Sequence, residues 1–330
     1  MGRTRPRRVD PLWVVGSKQG RLPLFKFSYT SVLFPFGAVF LAFPSKLIPV
    51  LKFVVYITLL PWLFTLAMRS MPLRVVSQIP PHLADLAGAS LIGTHDGTFH
   101  CDEALAIAML SLLPEYSNSI VIRSRNAELL SKCSIVVDVG AVCDPSHHRY
   151  DHHQRDFTGT FSDKHSVKLS SAGLVYKYFG KSILHTLLED TPHDHTTDLS
   201  QLVEVLYVKV YDGFIQHIDG IDNGVEVADG ELRYIISTTL SARVGKLNPG
   251  WNEDQSVEHT NEQFLNAVSL TGNEFTEYVM DMIRMWWPAR SIVLRAMSDR
   301  SKVHSSGQIV VLDQSCPWQS HLFDIENEVQ

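Results

Sequence analysis

The chain has 330 residues, 45% of them hydrophobic, which supports a sizeable core and excludes a disordered protein. Its net charge of −6 is unevenly spread: residues 1–80 hold eleven Lys and Arg against one acid, Asp10, so the remaining 34 acids face 18 bases and that body carries −16. So acidic a body excludes a general nucleic-acid binder, stable binding of duplex DNA included, because non-specific affinity comes from neutralising phosphates with Lys and Arg.

Residues 1–80 read as a basic, apolar leader. Two apolar stretches, Ser31–Phe43 and Leu47–Ala67, are interrupted by Pro35, Pro44, Pro49 and Pro61 and by Lys46 and Lys52. The second is about the length of a membrane span of roughly 20 residues, but its prolines and internal Lys make it a poor one. Three readings stand open: an organelle transit peptide, a membrane anchor over residues 30–67, or sequence lying before a true start at Met68 or Met71. Pro80-Pro81 marks a boundary. Nothing before it carries chemistry, so the working protein is expected to begin near Met68 to Pro81.

From there the elements alternate. Ala89–Thr94 is a short apolar strand closed by Gly93 and followed by a polar loop, and Glu103–Leu113 has the Ala/Leu richness of a buried helix, stopped by Pro114. Asp102 and Glu103 fall at that helix's start, where capping and dipole compensation account for them. Ser119–Ile122 and Cys133–Val139 read as buried strands around a short helical piece, Ala127–Leu130. The pattern predicts an α/β fold with a parallel sheet. His95 and Asp138 then lie at carboxyl ends of strands, the edge where sites assemble in open α/β sheets. Leu169–Leu188 and Leu199–Ile221 read as long helices, with the polar Thr191–Asp198 between them as a solvated loop. Asn261–Met297 is again helical, broken at Pro288, and Gln308–Leu312 restarts strand character. Domains are expected at 1–80 (leader), 81–230 (catalytic) and 231–330 (helical linker and a second, incomplete α/β domain).

Four cysteines, Cys101, Cys133, Cys143 and Cys316, contain no C-x-x-C pair and suit a reducing compartment. Chemistry concentrates elsewhere. His95, His100, Asp102 and Glu103 lie within nine residues, and His147, His148, Asp151, His152 and His153 crowd a second stretch. Like-charged acids this dense repel unless a cation sits among them, and with imidazoles beside them the reading is a metal site. Cys101 lies in the first stretch, but hard oxygen and imidazole ligands are more plentiful beside it. A structural zinc site would want paired cysteines. Asp138 is the isolated carboxylate at a strand end, suited to bridging two ions. Arg149 and Arg155 flank the histidine pair and can each grip a phosphate oxygen, or else neutralise Asp144, Asp151 and Asp156. Asp212, His217 and His259 read as structural.

The motifs Gly-Thr-His95-Asp-Gly-Thr-Phe-His100-Cys-Asp102-Glu103-Ala, Val-Val-Asp138-Val-Gly, His148-Arg149-Tyr150-Asp151-His152-His153-Gln154, Leu169-Ser170-Ser171-Ala172-Gly173, Asp219-Gly-Ile-Asp222-Asn223-Gly224 and Thr239-Leu-Ser-Ala-Arg243-Val-Gly follow one another in order. Together they resemble the melanocyte-proliferating-gene family of exonucleases, a metal-dependent hydrolase family similar to the DHH phosphoesterase superfamily. The resemblance covers roughly Leu91 to the C-terminus. It implies a DHH-type α/β domain, two divalent ions, Mn²⁺ with Mg²⁺ as the substitute, and hydrolysis of phosphodiesters as a 3′–5′ RNA exonuclease in mitochondria and nucleus. RNA is then the substrate partner, and a homodimer is left open. It further implies His95 and Asp102 as ligands, Asp138 as the bridge, His152 on metal, His153 facing the scissile phosphate or leaving oxygen, and Asp219 or Asp222 completing the second metal. Superfamily members commonly begin His-x-x-x-Asp-x-Asp, whereas this chain has Phe99 and Cys101 at those places. His100 and Asp102 are the candidates to replace the missing Asp. Alternatives are a hydrolase of small phosphoesters, such as a pyrophosphatase or an oligonucleotide-cleaving enzyme, and an inactive metal-binding regulator. Related chains continue past Cys316-Pro317-Trp318, which implies an incomplete second domain with Gln308–Leu312 unpaired and an unfinished apolar face around Trp286, Trp287 and Trp318.

Overall fold

The computed structural model describes residues 13–16, 73–78, 90–189, 191 and 198–329. The apolar stretches of residues 30–67, the Pro80-Pro81 boundary and most of Thr191–Asp198 lie outside the described residues. Among the described residues no helix is long and apolar enough to cross a membrane.

Residues 69–283 form one compact unit. Its centre is a six-stranded sheet of β2 (Arg74–Val76), β3 (Leu91–Thr94), β4 (Ile120–Arg123), β5 (Ile135–Val137), β6 (Cys143–Asp144) and β7 (Arg149–Tyr150), in the order β2-β4-β3-β5-β7-β6. Neighbours run parallel except β6, which closes antiparallel on β7. The α/β reading with a mostly parallel sheet and flanking helices therefore holds. Strand β2 falls inside the stretch that composition assigned to the leader, yet it pairs with β4 through Arg74, Val75 and Val76.

Strand β3 leads through helix α1 (Cys101–Ser111) to β4 on one side, while β5, on the other side of β3, leads away towards β7. The carboxyl ends of β3 and β5 thus flank a switch in winding direction, which opens a crevice there. Helix α1 is buried from Cys101 to Leu110, as its run of Ala, Leu, Ile and Met demands of a helix apolar on every side. It packs against α3 (Ser171–Glu189) and α7 (Val257–Asp281). Helix α2 (Ala127–Ser131) is capped by Asn126, whose side chain accepts from Glu128 and Leu129.

The helical stretch read over Leu199–Ile221 is three pieces: α4 (Leu199–Val210), a π-helical turn (Tyr211–Ile215) and α5 (Gln216–Asp222). Gly213 sits in the turn where any Cβ would collide with the Tyr278 hydroxyl, so close packing of α7 accounts for the wide turn there. Helix α6 (Leu240–Gly245) follows, started by Thr239.

The second unit brings β1 (Trp13–Gly16) together with residues 284–330. There α8 (Trp287–Val303) carries Pro288 in its first turn, and since Trp286 before it is itself helical and ends a π-helical turn, the chain adjusts at the proline without leaving the helix. Strand β8 (Ile309–Leu312) pairs parallel with β1, so it does not lack a partner as the sequence suggested. Ile292, Val293, Met297, Val310 and Leu312 form a core with Leu322 and Ile325 of α9 (Gln319–Val329), Trp318 packs against it, and Trp286 stacks on His321.

Candidate metal centre

The site lies at the carboxyl edge of β3, β5 and β7, closed by the amino ends of α1 and α3 and the carboxyl end of α5. His95 leaves β3, and its Nε2 stands 3.1 Å from Glu103 Oε1 and 3.3 Å from Asp138 Oδ2. His152 follows β7, and its Nε2 stands 3.3 Å from Asp138 Oδ1, 3.2 Å from Asp222 Oδ2 and 3.8 Å from Asp102 Oδ2. Asp138 therefore turns one oxygen to each histidine. Its backbone is left-handed, φ 57°, at the end of β5, and its N–H donates to Tyr150 O. Asp is one of few residues that tolerate that conformation, and backbone strain of this kind gathers at functional sites.

Three ligand groups have atoms within 4.8 Å of one another: His95, His100, Glu103 and Asp138; Asp138, His152 and His153; and Asp102, His152 and Asp222. Most of this is buried, with Asp102 and Glu103 at 0% exposure. Burial, with Asp138, Asp222 and Glu103 nearby, pushes the Asp102 carboxyl well above the usual range. Burial would lower the His95 imidazolium, but Asp138 and Glu103 outweigh it and hold it up at about 10. Asp102 Oδ1, Glu103 Oε2 and His152 Nδ1 have no hydrogen-bond partner despite burial. Buried polar atoms are normally satisfied, so an acid set aimed at a common point with atoms unpaired fits a bound cation. The donors, carboxylate and imidazole, are of the kinds that hold divalent metal ions. Cys101 is absent from these groups, and burial pushes its thiol up to about 12.

His153 is 61% exposed, and its Nδ1 meets Asp151 Oδ1 at 2.7 Å. Asp151 is buried and also accepts from the Ala141 and His153 amides. With Nδ1 so held, Nε2 is left to face a substrate. Ser171 of α3 completes the lining: its N–H donates to Asp102 Oδ2 and its hydroxyl to Asp138 Oδ1.

Two expected members stand elsewhere. Asp219 is buried beneath the amino end of α3, where Oδ1 accepts from Ser170 N, Ser170 Oγ and Gly173 N and Oδ2 from the Tyr211 hydroxyl. A Cβ at position 173 would run into that carboxylate, which is why the motif carries glycine. With its oxygens so occupied Asp219 serves the fold, and Asp222, not Asp219, reaches the cluster. Arg149 was expected to grip phosphate, but its guanidinium donates to the carbonyls of His147, His148 and Cys133. Cys133 precedes β5, so Arg149 is spent at the sheet's opposite edge. Arg155 is exposed beyond the histidine pair.

Sequence reasoning passed over three residues. Glu103 does cap α1, accepting from His100 N at 2.8 Å, but the same oxygen faces His95. Arg123, 2% exposed at the end of β4, donates to Gly97 O and Asn261 Oδ1 and lies over Phe264, fixing the loop that carries His95. Asn248 clamps the backbone of Phe99 with both ends of its amide. A Glu beside Asp102 was a readable signal; Arg123 and Asn248 had none.

Fold and site define a mixed α/β protein of phosphoesterase-like architecture with side-chain clusters at its switch point that could hold divalent metal ions. The chain belongs to the family described as uncharacterised protein family UPF0160, the MYG1 exonuclease family, whose model matches residues 91–330. It is 48% identical over 239 residues to the MYG1 protein of Dictyostelium discoideum, covering 72% of this chain and 70% of that one. It is 44% identical over 282 residues to the MYG1 exonuclease of Rattus norvegicus, 83% and 72% covered, and 47% identical over 244 residues to that of Homo sapiens, 72% and 62% covered. The chain thus spans less than two thirds of the human relative's length. No solved structure matches it.

Proposed function

We propose that this protein hydrolyses phosphodiester bonds as a metal-dependent nuclease, acting as a 3′–5′ exonuclease on RNA ends. The observation that carries this is the convergence of His95, Glu103, Asp138, His152, Asp102 and Asp222 on one crevice with buried ligand atoms left unpaired. Relatives named MYG1 exonuclease support the class of reaction. A pair of divalent cations held by these side chains, Asp138 among them, would supply a water activated for attack and charge to neutralise the phosphate.

The chain's own residues do the rest. Asp138 and Asp222 orient His152, and Glu103 with Asp138 orients His95. Ser171 fixes the Asp138 carboxylate by its hydroxyl. Asp151 holds Nδ1 of His153, so that Nε2 can deliver a proton to the leaving ribose oxygen. A body of net charge −16 repels a polyanion, so admission of the phosphate depends on cations in this crevice.

The test is release of mononucleotides from RNA labelled at its 5′ end, with Mn²⁺ and with chelator, beside DNA and pyrophosphate. Stepwise shortening of RNA from the 3′ end, abolished by chelator, is expected. Turnover of pyrophosphate alone would make this a small-phosphoester hydrolase. Stoichiometric Mn²⁺ uptake with no turnover of any substrate would make it a binding protein.

A further inference from the structure

Trp251 is 93% exposed, forgoing one of the largest apolar burials a side chain can make. A lone exposed aromatic on a loose loop would need no explanation. Here the loop is not loose. Gly250 N donates to Glu253 Oε2 at 2.6 Å, Glu253 N returns to Gly250 O at 3.0 Å, and the Gln255 amide donates to Pro249 O and Gly250 O. The turn is also tied to the metal centre's first segment: Asn248 Oδ1 accepts from Phe99 N at 2.9 Å and its Nδ2 donates to Phe99 O at 2.8 Å. His100, the residue after the clamped Phe99, is the exposed member of a ligand group whose other three members are buried. Trp251 is exposed three residues from the Asn248 clamp, so its turn is fastened to the segment that carries His100. Exposed Lys246 lies two residues before the clamp.

We infer that Trp251 is a stacking platform for a nucleobase of the substrate, the residue by which this site favours a nucleic-acid end over a bare phosphoester. The inference rests on the nuclease function proposed above and adds the substrate contact to it. An acidic body gains little affinity from phosphate neutralisation, and stacking supplies affinity that does not depend on charge. It is also tolerant of sequence, since every base offers a π-face.

The test compares the full chain with Trp251→Ala and Trp251→Phe on two RNAs in Mn²⁺: a short adenylate oligonucleotide, and the same oligonucleotide with abasic ribose at its 3′-terminal positions. Trp251→Ala should raise KM for the first about tenfold with kcat within about twofold, and Trp251→Phe should restore most of the loss. On the abasic end all three proteins should have the same KM. If wild type is active and Trp251→Ala matches it on the adenylate, or loses equally on both RNAs, Trp251 is not a base platform. If wild type degrades neither RNA, the nuclease function itself fails and takes this inference with it.

Discussion

The crevice at the carboxyl edge of the sheet and the pocket beneath the amino end of α3 both bury aspartates, but only the pocket gives its aspartate donors for both oxygens. Asp219 receives four hydrogen bonds, from Ser170, Gly173 and Tyr211. Asp102, equally buried, receives one from Ser171 N at 3.2 Å and keeps an oxygen with no partner, beside three other carboxylates that push its proton affinity up. Burial of an acid therefore does not mark a metal ligand. What marks it is burial with unpaired lone pairs turned towards others of the same charge, an arrangement that is costly until a cation enters.

That contrast predicts opposite responses. The largest effect belongs to Asp138→Asn, which keeps the shape and tolerates the left-handed backbone but removes the charge shared by His95 and His152. Turnover on RNA should fall by more than about 100-fold, beyond the loss typical of an outer partner, with circular dichroism unchanged and metal content reduced. Near-normal kcat at saturating Mn²⁺ would show that Asp138 does not bridge. Next comes Asp219→Ala, which strands four donors in the interior. It should cost about 2–3 kcal/mol in urea unfolding while the bound Mn²⁺ per folded chain stays at the wild-type value. A loss of metal without a loss of stability would put Asp219 back among the ligands. Asp102→Asn should do the reverse. In chelator it relieves repulsion and should stabilise the protein by about 1–2 kcal/mol, whereas in Mn²⁺ it weakens binding and loses activity. Destabilisation in chelator would mean that Asp102 is already satisfied without a cation.

The same contrast explains what could be read from the chain beforehand. Strands β3, β4 and β5 and helix α1 were legible because each is a short apolar run, the helix with its own stop at Pro114, and their alternation sets the parallel sheet. His95 and Asp138 were legible because they follow strands directly, and His152 because it lies in a dense run of histidines and acids. Arg149 sits within the same motif as His152, but it lies at the start of β7 and its long side chain runs back to Cys133 O, a direction no spacing encodes. Asp219 and Asp222 differ only in what faces them. Ser170, Gly173 and Tyr211 converge on the first from 49, 46 and 8 residues away, and only the folded packing of α3 on α5 reveals it. Glu103 was hidden by a sufficient local account, since a Glu in the first turn of a helix already has a job as a cap.

A smaller effect should appear in the pH dependence of stability. Burial pushes the Asp219 carboxyl up to about 7, against the opposing pull of its donors from Ser170, Tyr211 and Gly173. The folded protein then keeps a proton that the unfolded chain has released above the ordinary aspartate range, near 3.8. Since stability falls with pH wherever the folded state binds more protons, this group favours folding most below that range and loses the advantage as pH climbs to about 7. Asp219→Asn cannot titrate and removes this contribution. Its stability deficit against wild type should therefore be greatest in mild acid, shrink on the way to neutrality and stay constant above it. Urea midpoints of the two proteins in chelator, measured across that span, decide the matter. A deficit that grows with pH would mean that the donors outweigh burial and that Asp219 is ionised throughout.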